Sequence, residues 1–302
     1  GDHRDLHRVD RRQRQMCIRD SLIIVLVAGR KIYGARRWLV IGSFQLQPAE
    51  IAKLAIILVV TRMFAALNES DNPWRPFISG LCIAVIPMLL IMKQPDLGTA
   101  MVIFPSVLVL MFAGGAPLKG IVGIIVGGLL VTGVVLLILL IPVKTGMSPE
   151  KQERWYKFTG LSKYQRNRII VFFDAKADPL GAGWNKLQSE IAVGSGGMWG
   201  KGFKQGTQNI LGYLPKSVAP TDFIYSVIAE ETGFSGSFVI ITLFACFMLL
   251  IGKIGLNAID REGFILTVGI LALLFIHVFI NIAMTIGLMP ITGLPLPFLS
   301  YG

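Results

Sequence analysis

The sequence predicts an all-α polytopic membrane protein, a helical bundle of about six complete spans and one stub, with one large loop between two of the spans. Three observations predict it. Of the 302 residues, 53% are hydrophobic and 16% charged, and the mean hydropathy is +0.65, too apolar for an ordinary soluble domain. Several stretches reach the ~20 mainly apolar residues that a bilayer crossing requires. None shows the alternation of apolar and polar positions that a membrane β-barrel needs.

The first twenty residues, GDHRDLHRVDRRQRQMCIRD, stand apart. They are dense in Arg and Asp, lack apolar periodicity and lead into no cleavable h-region, so they are not a signal peptide. They read as a non-native or disordered tail, an expression scar or sequence artefact, with residues 21–302 as the membrane domain. Residues 21–29 are apolar but too short to span, the tail of a helix whose beginning is missing. Residues 30–47 read as a polar connection, with Arg36, Arg37 and Trp38 suited to the headgroup layer. Pro48 opens the next helix, as Pro does in a first turn, and that helix runs to about residue 67. Glu50 and Lys53 lie at i and i+3 in its first turn and share a face.

Residues 77–92 and 99–113 form two further spans, separated by Gln94-Pro95-Asp96-Leu97-Gly98. That break reads most simply as a turn in which Asp96 caps the following helix. Residues 120–142 are the most apolar span. Residues 143–221 form the longest non-spanning region, and a loop of that length is usually functional. Its mixture of Lys and Arg with Trp155, Tyr156, Phe172, Phe173, Trp184, Trp199 and Tyr213 suits short amphipathic helices lying on the membrane, one of them beginning at 189–194. Residues 223–251 and 263–288 span again. The closing PITGLPLPFLSYG is irregular and apolar, a backbone tolerated near a membrane only where protein or a cavity covers it. The abrupt stop at Tyr301-Gly302 adds to the reading of a fragment, cut at both ends.

The net charge of +11 points to an anionic partner, lipid headgroups or phosphates. Nucleic acid fits poorly, because no soluble basic domain exists to carry it. Cys17, Cys82 and Cys246 have no metal-ligand spacing, and no His/Cys/carboxylate cluster has zinc spacing. Lys119, Lys253 and Arg261 sit in short loops that the positive-inside rule puts in the cytoplasm, so residues 143–221 lie outside. The cluster of Arg30 to Arg37 then falls outside as well, against the rule.

The chemistry concentrates in KSVAPTDFIYSVIAEETGFSG, residues 216–236. Asp222 stands where an aqueous loop enters an apolar helix, and Glu230 and Glu231 lie roughly 12 Å further along its axis. Asp222 reads either as a helix N-cap or, between an apolar wall and water, as a general base. Acids at membrane depth usually face a cavity or a partner. Glu50 and Lys53 read either as a plain ion pair or as the lining of a polar pocket for a phosphate or sugar hydroxyl. Gly194–Gly202, reading GSGGMWGKG, is a linker or a strip whose backbone N–H groups approach a pyrophosphate. It is not a P-loop, since no Gly-Lys-Ser/Thr follows at the right spacing.

Several strings together resemble one family. GARRW at 34–38, QPAEIAKLA at 47–55, QPDLGTA at 94–100, YQRNRII at 164–170, DPLGAGWNKLQSEIAVGSGGMWGKG at 178–202, TDFIYSVIAEETGFSG at 221–236 and GLPLPFLSYG at 293–302 resemble the SEDS family of shape, elongation, division and sporulation proteins. DPLGAGWN and GTQN are nearer its RodA branch than its FtsW branch. The resemblance implies a ten-helix membrane protein, of which this chain would lack roughly the first two helices and the last. It implies a peptidoglycan glycosyltransferase of the cytoplasmic membrane that polymerises lipid II on the outer face, partnered by a class B penicillin-binding protein. The essential loop aspartate falls on Asp222, and the pocket glutamate and lysine on Glu50 and Lys53. With that mechanism Arg37, Arg166 and Arg168 become candidates to screen pyrophosphate charge, and Glu231 a further substrate contact. No cofactor is certain, and a divalent cation is suggested by the resemblance alone. This chain departs just before Asp222, where LPKSVAPTDFIY is longer than the usual stretch and lacks its His. The rival readings are a lipid II flippase and a non-catalytic activator of the penicillin-binding partner.

Overall fold

The computed structural model describes residues 30–32, 35–41, 44–67, 72–94, 96–145, 149–156, 161–215 and 218–300, with backbone alone for 30–46, 143, 144, 149, 150 and 153. Each of the six predicted spans is a helix: α1 Pro48–Ala65, α2 Trp74–Lys93, α3 Leu97–Ala113, α4 Leu118–Lys144, α9 Ile224–Leu256 and α10 Arg261–Thr285. Four of them (α2, α4, α9 and α10) are long and apolar enough to cross a membrane. Of the other two, α3 has 17 residues, and α1 has 18 and carries Glu50, Lys53 and Arg62. The stub at 21–29 and the tail at 1–20 lie outside the described residues.

The first connection differs from the sequence expectation. The connection at 30–47 contains strands β1 Arg30–Ile32, β2 Ala35–Ile41 and β3 Phe44–Leu46, an antiparallel meander in the order β1-β2-β3. Leu39 pairs with Leu46 and Ile41 with Phe44. The string WLVI-GS-FQLQ holds two β-prone runs around a Gly-Ser pair, which is a hairpin signal. The region 143–221 holds short helices, as its composition suggests: α5 Pro149–Tyr156, α6 Lys163–Phe173, α7 Ala182–Ser195 and α8 Thr207–Ile210. Residues 189–194 lie in the second half of α7 rather than at a helix start.

The described residues fall into two compact units. The first holds the residues up to Ile121 together with Met248–Ile276. Its core is Ile56, Val60 and Phe64 of α1, Ile91 of α2, Val102, Leu110 and Met111 of α3, and Ile265 of α10, all buried. Asp96 caps α3 as expected: its carboxylate accepts from Thr99 N at 3.1 Å and Thr99 Oγ1 at 2.9 Å, and also from Gln47 Nε2 at 3.1 Å. Arg261 donates to Leu67 O at 3.0 Å and Gly114 O at 2.9 Å, satisfying carbonyls just past the ends of α1 and α3.

The second unit holds Val122–Phe247 and His277 onward. Pro142 lacks the N–H that would pair with Ile138 O inside α4, and Trp155 Nε1 takes that carbonyl at 2.9 Å, tying α5 back onto α4. α6 opens with a capping box between Ser162 and Gln165. A buried chain of hydroxyls, Ser226 Oγ to Ser189 Oγ at 2.6 Å and Ser189 Oγ to Thr285 O at 2.8 Å, joins α9, α7 and α10. The irregular strip after α10 is covered by protein, as its apolar sequence demands: Ile291, Thr292, Leu294 and Leu296 are all buried.

Candidate active site

α9 begins at Ile224, two residues beyond Asp222. The turn that presents Asp222 rests on a buried cluster of Leu214, Ala219, Phe223 and Ile291. Backbone carbonyls strap this turn to the strip after α10. Asn281 Nδ2 donates to Asp222 O at 3.0 Å and to Leu294 O at 2.6 Å. Ser300 Oγ donates to Thr221 O at 2.6 Å and accepts from Leu296 N at 2.6 Å. The backbone around Asp222 is thus held through its carbonyls, and the residue is half-buried.

Gly293 marks where that carboxylate meets a cation. A Cβ built on Gly293 would lie 3.3 Å from Asp222 Oδ2, 3.3 Å from Arg168 Nη1 and 3.4 Å from Arg168 Nη2. The acid and the guanidinium therefore face one small patch of backbone, and Gly293 holds a φ of +74° there. Arg168 is itself braced: its guanidinium stacks 4.4 Å from the Tyr164 ring and donates to the Tyr164 hydroxyl. Gly293→Ala is expected to destabilise the protein by about 1–2 kcal/mol, the cost of a side chain in the left-handed region. Thermal unfolding in detergent reads it, together with a fall in rate as the added methyl crowds Asp222 and Arg168.

Arg166 points elsewhere, since residues two apart on a helix do not share a face. It stacks 4.8 Å over the Tyr156 ring. With Lys163, Tyr164, Asn167 and Asp178 it lines a cleft of about 390 Å³. Burial pushes the Tyr156 phenol above its ordinary pKa, and the nearby Arg166 charge partly offsets this.

Among the residues expected from sequence, Asp222 and Arg168 are brought together. Glu50 and Lys53 belong to the first unit and form an ion pair at 2.6 Å, with Lys53 only 3% exposed and Glu50 open to solvent. Arg37 lies on β2, where backbone alone is described. Glu231 is half-buried at the end of the first segment of α9, and its carbonyl accepts from Gly202 N at 3.0 Å.

The glycine-rich strip is committed to protein. α9 breaks at Gly233, whose φ of 68° and ψ of −163° are not helical. Lys201 N and Gly202 N donate to Glu230 O and Glu231 O on one side of the break, each at 3.0 Å. Gly197 O and Met198 O accept from Phe234 N at 2.8 Å and Ser235 N at 3.1 Å on the other. Two of the N–H groups that the sequence offers to a pyrophosphate are thereby used to heal a broken helix. Glu230, rather than the expected Glu231, is the fully buried acid of the pair. The signal was its spacing: Ser226, Ala229, Glu230, Gly233 and Ser237 form one stripe of small and polar residues, and all are buried.

The cell cycle protein family model FTSW_RODA_SPOVE matches residues 11–302. The chain is 38% identical over 289 residues to the peptidoglycan glycosyltransferase MrdB of Escherichia coli (strain K12), covering 93% of this chain and 70% of that protein. It is 32% identical over 335 residues to the peptidoglycan glycosyltransferase RodA of Treponema pallidum, covering 93% and 76%. Stage V sporulation protein E of Bacillus subtilis is 36% identical, covering 93% and 70%. Among solved structures, a chain of a peptidoglycan synthase complex that coordinates polymerization and crosslinking matches with a TM-score of 0.65 at 27% identity, covering all of this chain and 77% of that one. The rod shape determining protein RodA of Thermus thermophilus matches with a TM-score of 0.60 at 25% identity, covering 96% and 70%. These similarities and the motifs point to the same group, and the chain belongs to the FtsW/RodA/SpoVE family of cell cycle proteins.

Proposed function

We propose that this membrane protein is a peptidoglycan glycosyltransferase that polymerises lipid II into glycan strands during cell-wall elongation and the maintenance of cell shape. The observation that carries the proposal is the meeting of the Asp222 carboxylate and the Arg168 guanidinium at Gly293, at the head of a helix in a membrane-spanning chain. Relatives that bear the name peptidoglycan glycosyltransferase support the activity.

A sugar hydroxyl is a weak nucleophile until its proton leaves. Asp222 accepts the proton of the acceptor GlcNAc 4-hydroxyl as that oxygen attacks C1 of the donor MurNAc. The C1–O bond to undecaprenyl pyrophosphate breaks in the same displacement, and the leaving group gains negative charge. Arg168, beside the base, is placed to offset that charge as it develops. A single displacement inverts C1 and forms no bond to the enzyme, so Glu231 serves as a contact for a sugar hydroxyl rather than a nucleophile. Arg166 holds a phosphate of the lipid substrate in its own cleft. Among the described residues no group of three or more His, Cys, Asp or Glu side chains is placed to hold an ion. No step is routed through a divalent cation.

The setting proposed is the cytoplasmic membrane, with α5–α8 on its outer face and a class B penicillin-binding protein as partner. The membrane also receives the outer surface of α7 and the following strip. Trp184, Leu187 and Ile191 face outward while the polar Gln188 and Ser189 face inward, the reverse of a water-exposed helix. Trp199 is 80% exposed and Phe203 79%, on a strip bonded to the start of the lipid-facing second segment of α9. In vesicles, brominated lipids are expected to quench a fluorescence component that Trp199→Phe removes. An unchanged quenching profile would place that strip in water or against protein.

The activity test is polymerisation of lipid II by the purified chain in detergent. Glycan strands that vanish with Asp222→Ala support the enzyme. Lipid translocation in vesicles without polymer would establish the flippase instead, and polymerisation by the partnered complex that ignores Asp222 would leave only an activator.

A further inference from the structure

We infer that the buried pair of Glu230 and Lys201 is a latch that positions Asp222, and that Glu230 is a positioning residue rather than a second catalytic acid. The inference rests on Asp222 being the base. Glu230 is 0% exposed. Its Oε1 accepts from Lys201 Nζ at 2.7 Å, from Thr207 Oγ1 at 3.0 Å and from Gln208 N at 3.1 Å. Lys201 Nζ also donates to Thr207 Oγ1 at 2.7 Å. A buried carboxylate so occupied by protein has little capacity left for a sugar. Its work is to fasten the strip 196–208 to the end of one short helical segment.

That segment is the one Asp222 leads. It runs from Ile224 to the break at Gly233, only about two and a half turns. Three sets of polar contacts pin it along its length. Asn281 and Ser300 hold the carbonyls at its head. The Ser226–Ser189 contact holds its middle. Glu230 holds its tail, where the backbone is otherwise discontinuous. An unbroken helix would transmit its position from the following 23 residues, Phe234–Leu256. A helix cut at Gly233 lacks that brace, and the latch replaces it. The Lys201 and Gly202 amides reach Glu230 O and Glu231 O only while the strip stays seated. Losing the charge pair therefore loosens the tail, and the head shifts with it. A misplacement of about 1 Å at a reacting group can cost up to about 10²-fold in rate.

Lys201 is the residue to change, because it is 26% exposed whereas Glu230 is fully buried. In the purified full chain, Lys201→Met is expected to lower kcat by about 10- to 100-fold with KM within about twofold. Lys201→Arg, which keeps the cation against Glu230, is expected to restore most of kcat. Hydrogen exchange of the Lys201 and Gly202 amides is expected to quicken about tenfold in Lys201→Met and not in Lys201→Arg. Asp222→Asn is measured alongside. If Asp222→Asn still polymerises, the base assignment is lost. If Asp222→Asn is dead while Lys201→Met keeps its kcat, whether or not the amides exchange faster, the latch is overturned. A raised KM at unchanged kcat would make Lys201 a substrate contact and overturn it too.

Discussion

Asp222→Asn lowers the rate of glycan polymerisation by about 10²–10⁴-fold, the range that general-base catalysis typically supplies, and leaves the fold as it was. Both halves follow from how the residue is held. The contacts that fix its turn run through the Asp222 and Thr221 carbonyls, and Asn has the same backbone and nearly the same volume. The substitution removes the carboxylate's capacity to take a proton and its charge facing Arg168, while the backbone straps remain. Gel analysis of lipid II products reads the first half, and unfolding temperature in detergent the second. Asn281→Ala makes the complementary case. It deprives two carbonyls, Asp222 O and Leu294 O, of one shared donor, and each unsatisfied buried group costs about 1–3 kcal/mol. That variant should lose stability and rate together. A near-native rate in Asp222→Asn would return this residue to a purely structural role and leave the flippase or activator in its place.

The spans were legible because apolar length is a one-dimensional property. The helix bounded by Pro48, the cap at Asp96 and the covered strip after α10 follow from local rules that need no tertiary knowledge. The β meander at 30–46 was obscured by Arg30, Arg36 and Arg37, whose charge suggested an aqueous connection while WLVI and FQLQ carried a strand signal. Asp222 was legible from its place between polar approach and apolar run. Its meeting with Arg168 was not, because 54 residues separate the two in sequence and Gly293 comes from a third region. The break in α9 was hidden for a different reason. Gly233 sits in an apolar run where a glycine is tolerated for packing alone, and only the strip 197–202, some thirty residues upstream, shows why the helix must open there. Glycine content drew attention to that strip as an anion cradle, whereas close backbone approach is what requires it.

Gly233→Ala is the structural counterpart of the Asp222 experiment, and it is expected to cost about 3–5 kcal/mol, enough to leave little folded protein. Two costs combine. The backbone at Gly233, with φ 68° and ψ −163°, lies in a region that is essentially glycine's alone, worth about 1–3 kcal/mol of strain for another residue. A Cβ there would also stand 2.3 Å from Gly200 N and 2.8 Å from Met198 O. Those are backbone atoms, so no side chain can swing aside. Relief requires the strip to lift, which breaks the bonds from Phe234 N and Ser235 N and strands their carbonyl partners; crowding of this kind typically costs about 1–3 kcal/mol. Gly200→Ala meets Glu231 O at 2.1 Å from the other side and should fail in the same way. Gly194→Ala is the control. It lies inside α7 with nothing within 4 Å of the added methyl, so it should be neutral or stabilise by about 0.5–1 kcal/mol, the helix preference of Ala over Gly. If Gly233→Ala and Gly194→Ala unfold at the same temperature, α9 is continuous, and the strip has no break to heal.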